Sequence, residues 1–452
     1  MFVGREHELN FLETRYHADG GQLVVLYGRR RVGKTETLRK FCEGREHVFY
    51  SCTECTDEQQ LRAFSSRMLS KNIPAAKYIK TFSDWEQAFR SVSELPSDGK
   101  KLLVIDEFPY MAKNNSSIPS ILQNLWDTEL KNQDIMVVLC GSSMSFIEKE
   151  ILAEKNPLYG RATGILKMIE MPFYEAVQFF PHYSNLNKIT AYAVLGGIPH
   201  YLKQFDQNKS LEDNIKENIL QKGSILYSEV EFLMRQELRE TTVYNTIIGA
   251  VALGNTKLSK LTVYLKNLID LGIVQREFPV SDGIKEQANV QRGLYKLTDN
   301  FFSFWYAFVF PNISELEAGD VEGIYEYAIK PLLDQYTSRI YENICRDYLR
   351  RLNQQNKLPF HFTNIGRWWN KSDELDIMAT DRDRNNFLIG ECKYKNADFD
   401  LSEMNTALVK FKPKKKDAKI YYCLFSKTGF TQQVHKAARQ KEILLISVDD
   451  MI

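Results

Sequence analysis

The chain has 452 residues, enough for about three domains at roughly 150 residues each. With 44% hydrophobic and 26% charged residues its composition is that of a soluble globular protein, and a net charge of +1 excludes a chain-wide electrostatic footprint for nucleic acid, so any basic surface has to be local. Seven cysteines, an odd number scattered along the chain, argue for reduced thiols and predict a cytoplasmic protein.

Met1 to Leu12 mixes acidic and basic residues and lacks the apolar run of a signal peptide. The next segment, Leu23-Val24-Val25-Leu26-Tyr27, is a short apolar run of the kind that makes a buried parallel strand. Gly28-Arg29-Arg30-Arg31-Val32-Gly33-Lys34-Thr35 follows at once, and Glu36 to Cys42 then reads as a helix. Strand, glycine loop and helix in that order imply a nucleoside-triphosphate site. The glycines permit tight turns that aim successive N–H groups at phosphates beside a helix N-terminus. Lys34 is expected to reach the β- and γ-phosphates of ATP, and the Thr35 hydroxyl to ligate Mg²⁺. Cys52 and Cys55 form a lone C-x-x-C; without a second pair they read as ordinary thiols rather than a zinc site.

A second buried run, Leu102-Leu103-Val104-Ile105, ends in Asp106-Glu107, which puts two carboxylates at the carboxyl edge of a parallel sheet. Asp106 suits the outer shell of Mg²⁺, and Glu107 is the natural group to polarise an attacking water. A third run, Ile135 to Cys140, ends in Gly141-Ser142-Ser143. The Ser142 hydroxyl there either senses the γ-phosphate or caps a helix starting near Met144, and the residues alone leave both readings open.

Phe2-Val3-Gly4-Arg5-Glu6, the arginine-filled loop, Ile105-Asp106-Glu107 and Gly141-Ser142-Ser143 together resemble the archaeal-type AAA+ ATPases, relatives of the STAND signalling ATPases that also occur in bacteria. The resemblance implies that Gly4-Arg5-Glu6 lies near the adenine. It also implies that Arg161, in Tyr159-Gly160-Arg161, is a candidate arginine finger or sensor. A finger acting across subunits requires a homo-oligomer.

From Pro172 the texture turns helical, and Gly197-Ile198-Pro199 resembles the G-x-P element that STAND-type lids set against the nucleotide base; a plain Gly–Pro helix break is the simpler alternative. Residues Tyr244 to Leu297 resemble the winged-helix segment that follows such lids. Leu258, Leu261, Leu265 and Leu268 form one apolar helix face, and Leu271-Gly272-Ile273-Val274 leads into the first wing strand. One supporting helix is missing from the pattern, which favours a packing role over DNA reading. Phe301 to Phe310, the longest greasy stretch, is about half the length a membrane helix requires and reads as an aromatic core segment, so no membrane partner is expected. Asn370-Lys371-Ser372-Asp373 spells a guanine-selecting signature, but far from the nucleotide segment, and is a coincidence.

After Pro331 a helix runs through Ile340 to about Leu352, with Glu342 on an otherwise apolar line. A strand begins at Glu374-Leu375-Asp376-Ile377, and the next, Phe387 to Lys393, has a period of two that puts Glu391 and Lys393 on one face. Two carboxylates offer hard oxygens to Mg²⁺ or Mn²⁺, and a lysine beside them can orient water or stabilise phosphate charge. This order resembles the PD-(D/E)xK nucleases and, more narrowly, the uncharacterised domain that commonly follows this ATPase type. The resemblance implies Glu342, Asp376, Glu391 and Lys393 as the active set, with the metal between Asp376 and Glu391. Lys410, Lys412, Lys414, Lys415, Lys416 and Lys419 form a basic run nearby, either a solvated loop or a contact to a phosphate backbone.

The expected architecture is therefore α/β. A P-loop parallel sheet is expected over 1–171, a helical lid over 172–243, a shortened winged-helix-like segment over 244–310 and a restriction-endonuclease-like domain over 311–452. Gly4, Arg5, the loop Gly28 to Glu36, Asp106, Ser142 and Pro199 are expected to line the nucleotide. DNA or RNA is the expected partner of the last domain. The rival expectation is an ATP-switched scaffold whose last domain is inert and binds protein.

Overall fold

Apolar runs that leave no polar alternation can be covered only on both faces, and in the computed structural model they build one open sheet. Its strands are β1 (Gln22–Tyr27), β2 (His47–Ser51), β3 (Lys101–Asp106), β4 (Ile135–Gly141) and β5 (Gly164–Lys167). They lie in the order β2-β3-β4-β1-β5 and are parallel throughout. Every residue of β1 and β4 is buried. Because β4 separates β1 from β3, the loop leaving β1, the serines leaving β4 and the acids leaving β3 emerge side by side at one edge. Tyr27 is in register with Gly141, and Ile105 with Leu139.

The structure describes residues 2–96, 99–238, 241–252, 254, 262–287, 293–413 and 415–452. Met1, Leu258, Leu261 and Lys414, which figured in the sequence reading, lie outside them. The chain forms two compact units, Met1–Glu175 with Ile198–His200, and Ala176–Gly197 with Tyr201–Ile452.

The second unit opens with helices, among them Asn185–Leu195, Ile225–Glu237, Thr241–Ala252 and Thr262–Asp270. Leu265 and Leu268 of the last are buried, as their spacing predicts. An antiparallel hairpin follows, β6 (Val274–Glu277) with β7 (Leu294–Leu297). The aromatic segment is core: Phe301, Phe302, Phe304, Trp305 and Tyr306 are each at most 1% exposed, and the Trp305 indole donates to the Tyr227 carbonyl at 2.9 Å. Among the described residues no helix is long and apolar enough to cross a membrane.

The helix Leu333–Gln354 leads into a mixed sheet of β8 (Asn364–Trp369), β9 (Glu374–Thr380), β10 (Asn386–Lys393), β11 (Lys419–Ser426) and β12 (Leu444–Ser447), ordered β12-β11-β10-β9-β8. β8, β9 and β10 are antiparallel neighbours, whereas β10, β11 and β12 are parallel, with helices Leu401–Val409 and Gln432–Lys441 as crossovers. This is the helix–strand–strand order the sequence predicts. Asn370–Asp373, the guanine-signature look-alike, is the turn between β8 and β9. The Asn370 side-chain oxygen accepts from the Ser372 and Asp373 N–H groups, both at 2.7 Å, so those letters serve a hairpin.

Candidate functional site

The phosphate loop needs its glycines for space as much as for conformation. A Cβ on Gly28 would lie 2.1 Å from the Met168 carbonyl oxygen at the end of β5, and Gly33 turns at φ 97° into the helix Lys34–Cys42. Arg31 also takes a left-handed φ of 71°, while Val32 is buried beneath the loop. Lys34 is 5% exposed and its Nζ donates to the Gly28 and Arg29 carbonyls at 2.8 and 3.0 Å. Burial pulls its ammonium below the ordinary lysine value, against the opposing pull of neighbours that include Glu107 and Asp106.

Opposite the loop, the Thr35 hydroxyl donates to Asp106 Oδ2 at 2.8 Å, which joins the two expected Mg²⁺ ligands directly. Asp106 is 3% exposed, and its Oδ1 accepts from the Glu107 N–H at 3.0 Å. Glu107 itself stands in a left-handed conformation, φ 52°, at the N-terminus of the helix Phe108–Asn114. Its Oε2 accepts from both the N–H and the hydroxyl of Ser142, at 3.2 and 2.8 Å. Gly141 lets this happen, since a Cβ there would come within 2.7 Å of Pro109 on the same helix.

Arg5 is 2% exposed. Its guanidinium pairs with Glu8 at 2.7 Å and donates to the Val32 and Ile169 carbonyls at 2.6 and 2.8 Å, so it reaches the loop through the backbone. Gly4 turns at φ 64° against Glu175, whose carboxylate accepts the Arg5 N–H at 3.0 Å. Pro199 approaches the loop too: a Cβ on Gly33 would meet its ring at 3.6 Å. Glu36 faces outward beside Arg39 at 3.6 Å. Arg161 is held by Asp127 at 2.9 Å in this structure.

In the mixed sheet, the pairing of β9 with β10 sets Ile389 opposite Met378 and Gly390 opposite Ile377, which brings the next residues, Glu391 and Asp376, to one end of the pairing. Asp376 Oδ2 accepts from the Cys392 N–H at 2.9 Å. Burial and the nearby Glu391 carboxylate raise its pKa above the ordinary aspartate value. Glu342 reaches the same place from the helix Leu333–Gln354; burial first, then Asp376, push it up to about 7. Glu391 is 5% exposed and differently provided for. Lys393 donates to its Oε1 at 2.9 Å, and Lys410 to Oε1 and Oε2 at 2.9 and 2.8 Å. Burial opposes the charge on Lys393, yet the bond to Glu391 prevails and its pKa is raised.

The structure thus brings Glu342, Asp376, Glu391 and Lys393 together. As a set, the three carboxylates do not bring ligand atoms within 4.8 Å of one another; among the described residues Glu212, Glu322 and Glu326 do, beside Lys216 and Lys330. Lys410 is the member that sequence reasoning did not single out, having read it as one of a run. Arg346, which donates to the Asp376 carbonyl at 2.5 Å, and Arg367, 3.8 Å from Glu342, also went unread. A lysine lying 19 residues beyond an acid leaves no periodic trace.

A parallel sheet with a glycine loop at the tip of β1 and the Thr35–Asp106 pair at its edge defines a P-loop ATPase domain. Residues 2–205 match the family described as an ATPase domain predominantly from Archaea, and residues 305–408 one described as archaeal and bacterial proteins of unknown function. An uncharacterised protein of Methanocaldococcus jannaschii is 35% identical over 408 residues, 88% of each chain. The chain belongs to this archaeal-type ATPase family, whose domain binds and hydrolyses ATP. An uncharacterised ATP-binding protein of the same organism is 50% identical over 46 residues, 10% of this chain and 78% of that one. Among solved structures, a Walker-type ATPase of Pyrococcus abyssi superposes with a TM-score of 0.47 at 20% identity, covering 68% of this chain and 96% of that one.

Proposed function

We propose that this chain couples its ATP state to a C-terminal metal-dependent phosphodiesterase site that engages nucleic acid. The observation that carries the second half is the under-compensated pair Asp376 and Glu342. Both are half-buried, each is raised by desolvation and by a neighbouring carboxylate, and both would be relieved by a cation. Their hard oxygens, with Glu391, suit Mg²⁺ or Mn²⁺, which when bound supplies Lewis acidity and an acidified water. Lys393 and Lys410, 2.9 Å or less from Glu391, would face the scissile phosphate as compact positive charges.

On the ATP side, Lys34 gives its protons to two neutral carbonyls, so a triphosphate oxygen is the stronger acceptor and takes them over. Thr35 and Asp106 would hold the accompanying Mg²⁺. The Ser142 hydroxyl, now on Glu107, has the γ-phosphate as a competing acceptor. Its transfer frees the Glu107 carboxylate to polarise water, which ties hydrolysis to correct occupancy. Arg161 would have to leave Asp127 to act as a finger on a neighbouring subunit, which makes a homo-oligomer part of this reading.

A second reading draws on Glu391. Two ammonium groups neutralise it without a metal, as in an inert domain kept for binding protein. The test is incubation of the full chain with Mg²⁺ or Mn²⁺, with and without ATP, on single- and double-stranded DNA and RNA. Wild type is expected to cut and Asp376→Ala to lose at least about 10²-fold in rate, since it removes a metal-bearing carboxylate. Identical behaviour of the two hands the domain to the scaffold reading.

A further inference from the structure

On the face of the sheet that carries Glu391 lies a groove of about 960 Å³ between the β6–β7 hairpin segment and strands β8 to β10. Four aromatic side chains line it: Trp368, Trp369, Phe387 and Phe411. Phe411 packs edge to face on Trp368 and tilted on Phe387, with ring centroids 5.3 and 5.2 Å away. The β8–β9 pairing shifts register where Gly366 and Trp368 face Met378 and Leu375, two residues against three, and the adjacent Trp368 and Trp369 both border the groove. Lys371, Lys412 and Lys415 stand on the sheet side; Asp282 and Glu286 stand on the hairpin side.

The period of two connects this groove to Glu391. Thr380 and Met378 share one face of β9, and Phe387, Ile389 and Glu391 share the matching face of β10. Met378, Thr380 and Phe387 border the groove, so along β10 its face runs on from Phe387 to Glu391 at about 7 Å per pair of residues. Lys410, bound to Glu391, is followed in the chain by Phe411 and Lys412 of the groove.

Resting on the nucleic-acid reading above, we propose that this groove takes the bases of a single strand of DNA or RNA and leads its backbone to the Asp376–Glu391 centre. Aromatic side chains stack on any base whose faces are open, while cations on one wall track the phosphates. A duplex hides its base faces in its own stack and leaves the tryptophans nothing to hold. The lysines of the sheet side draw the phosphates, which directs the backbone there and the bases to the rings. The volume, at the upper end of the roughly 300–1,000 Å³ span of ligand sites, accommodates a few splayed nucleotides.

The test is fluorescence anisotropy of the full chain with labelled oligo-dT, oligo-rU and a duplex of equal length, in EDTA so that nothing is cut. Wild type is expected to bind at least one single strand about tenfold or more tighter than the duplex; the tighter arm names the sugar. Trp369→Ala is expected to weaken binding by about 5- to 150-fold, the value of one stacked base, with Trp369→Phe recovering most of it. The double reversal Lys371→Glu/Lys412→Glu, at exposed positions that leave the melting midpoint unchanged, is expected to weaken binding at least tenfold and flatten its salt dependence. Equal affinity for duplex, or single-strand binding unmoved by both variants, overturns the groove. Binding lost in these variants while Asp376→Ala cleaves like wild type upholds the groove and removes only the nuclease reading. Cleavage that persists unchanged in the groove variants does the reverse.

Discussion

Lys34 and Lys393 are both drawn out of water, yet the two sites treat them in opposite ways. Lys34 rests on neutral carbonyl oxygens and its pKa is lowered; Lys393 rests on a carboxylate and its pKa is raised. A lysine whose hydrogen bonds go only to carbonyl dipoles is poised to receive an anion, because no charged acceptor is in contact with it. A lysine already on a carboxylate turns to a phosphate only when a cation takes that carboxylate over. The electrostatic want in the C-terminal site lies instead on Asp376 and Glu342, and it is a want of positive charge. The nucleotide site is preset for an anion and the distal one for a cation.

That contrast can be broken most completely at the loop. Lys34→Ala is expected to abolish ATP binding in calorimetry, and retained affinity would remove the anion-preset half of the comparison. Next in size is Arg161→Ala. A finger in trans is expected to leave ATP binding intact and lower turnover on the order of 10³-fold, with unchanged turnover assigning Arg161 to its Asp127 pair alone. Glu107→Gln keeps the hydrogen-bonding shape but not the base, so turnover is expected to fall at least about 10²-fold with ATP still bound. The smallest effect sharpens the other half. Glu342 has a folded-state pKa near 7 against an ordinary 4.5, so it binds its proton more tightly when folded. The stability this brings is fully present below about pH 4.5 and is lost as pH rises through about 7. Glu342→Gln is therefore expected to raise the melting midpoint by about 2–4 °C at pH 8.5 and to leave it unchanged at pH 4. Equal midpoints at both pH values would mean that Glu342 is not short of compensation.

The apolar strands and the letters at their ends were legible because burial on both faces forbids polar alternation and because ligand edges follow strand tips. Glu391 and Lys393 were legible for a different reason, a strict period of two along one strand. What escaped were contacts made across the fold. Nothing near Arg5 in the chain announces that it reaches Val32 and Ile169, 27 and 164 residues away. Lys410 hid in a basic run, where nothing in the spacing sets it apart from its neighbours. The hydrogen bonds from Ser142 to Glu107 depend on β4 lying between β1 and β3, a matter of strand order that no local pattern encodes.

Gly141 carries a consequence of its own. Its bare α-carbon lets the Pro109 ring nest against the end of β4, which draws the helix headed by Glu107 up to Ser142. The distance from acid to hydroxyl is gauged by an absence: a single methyl at that point would act as a wedge, forcing the helix away and leaving the serine to grip empty water.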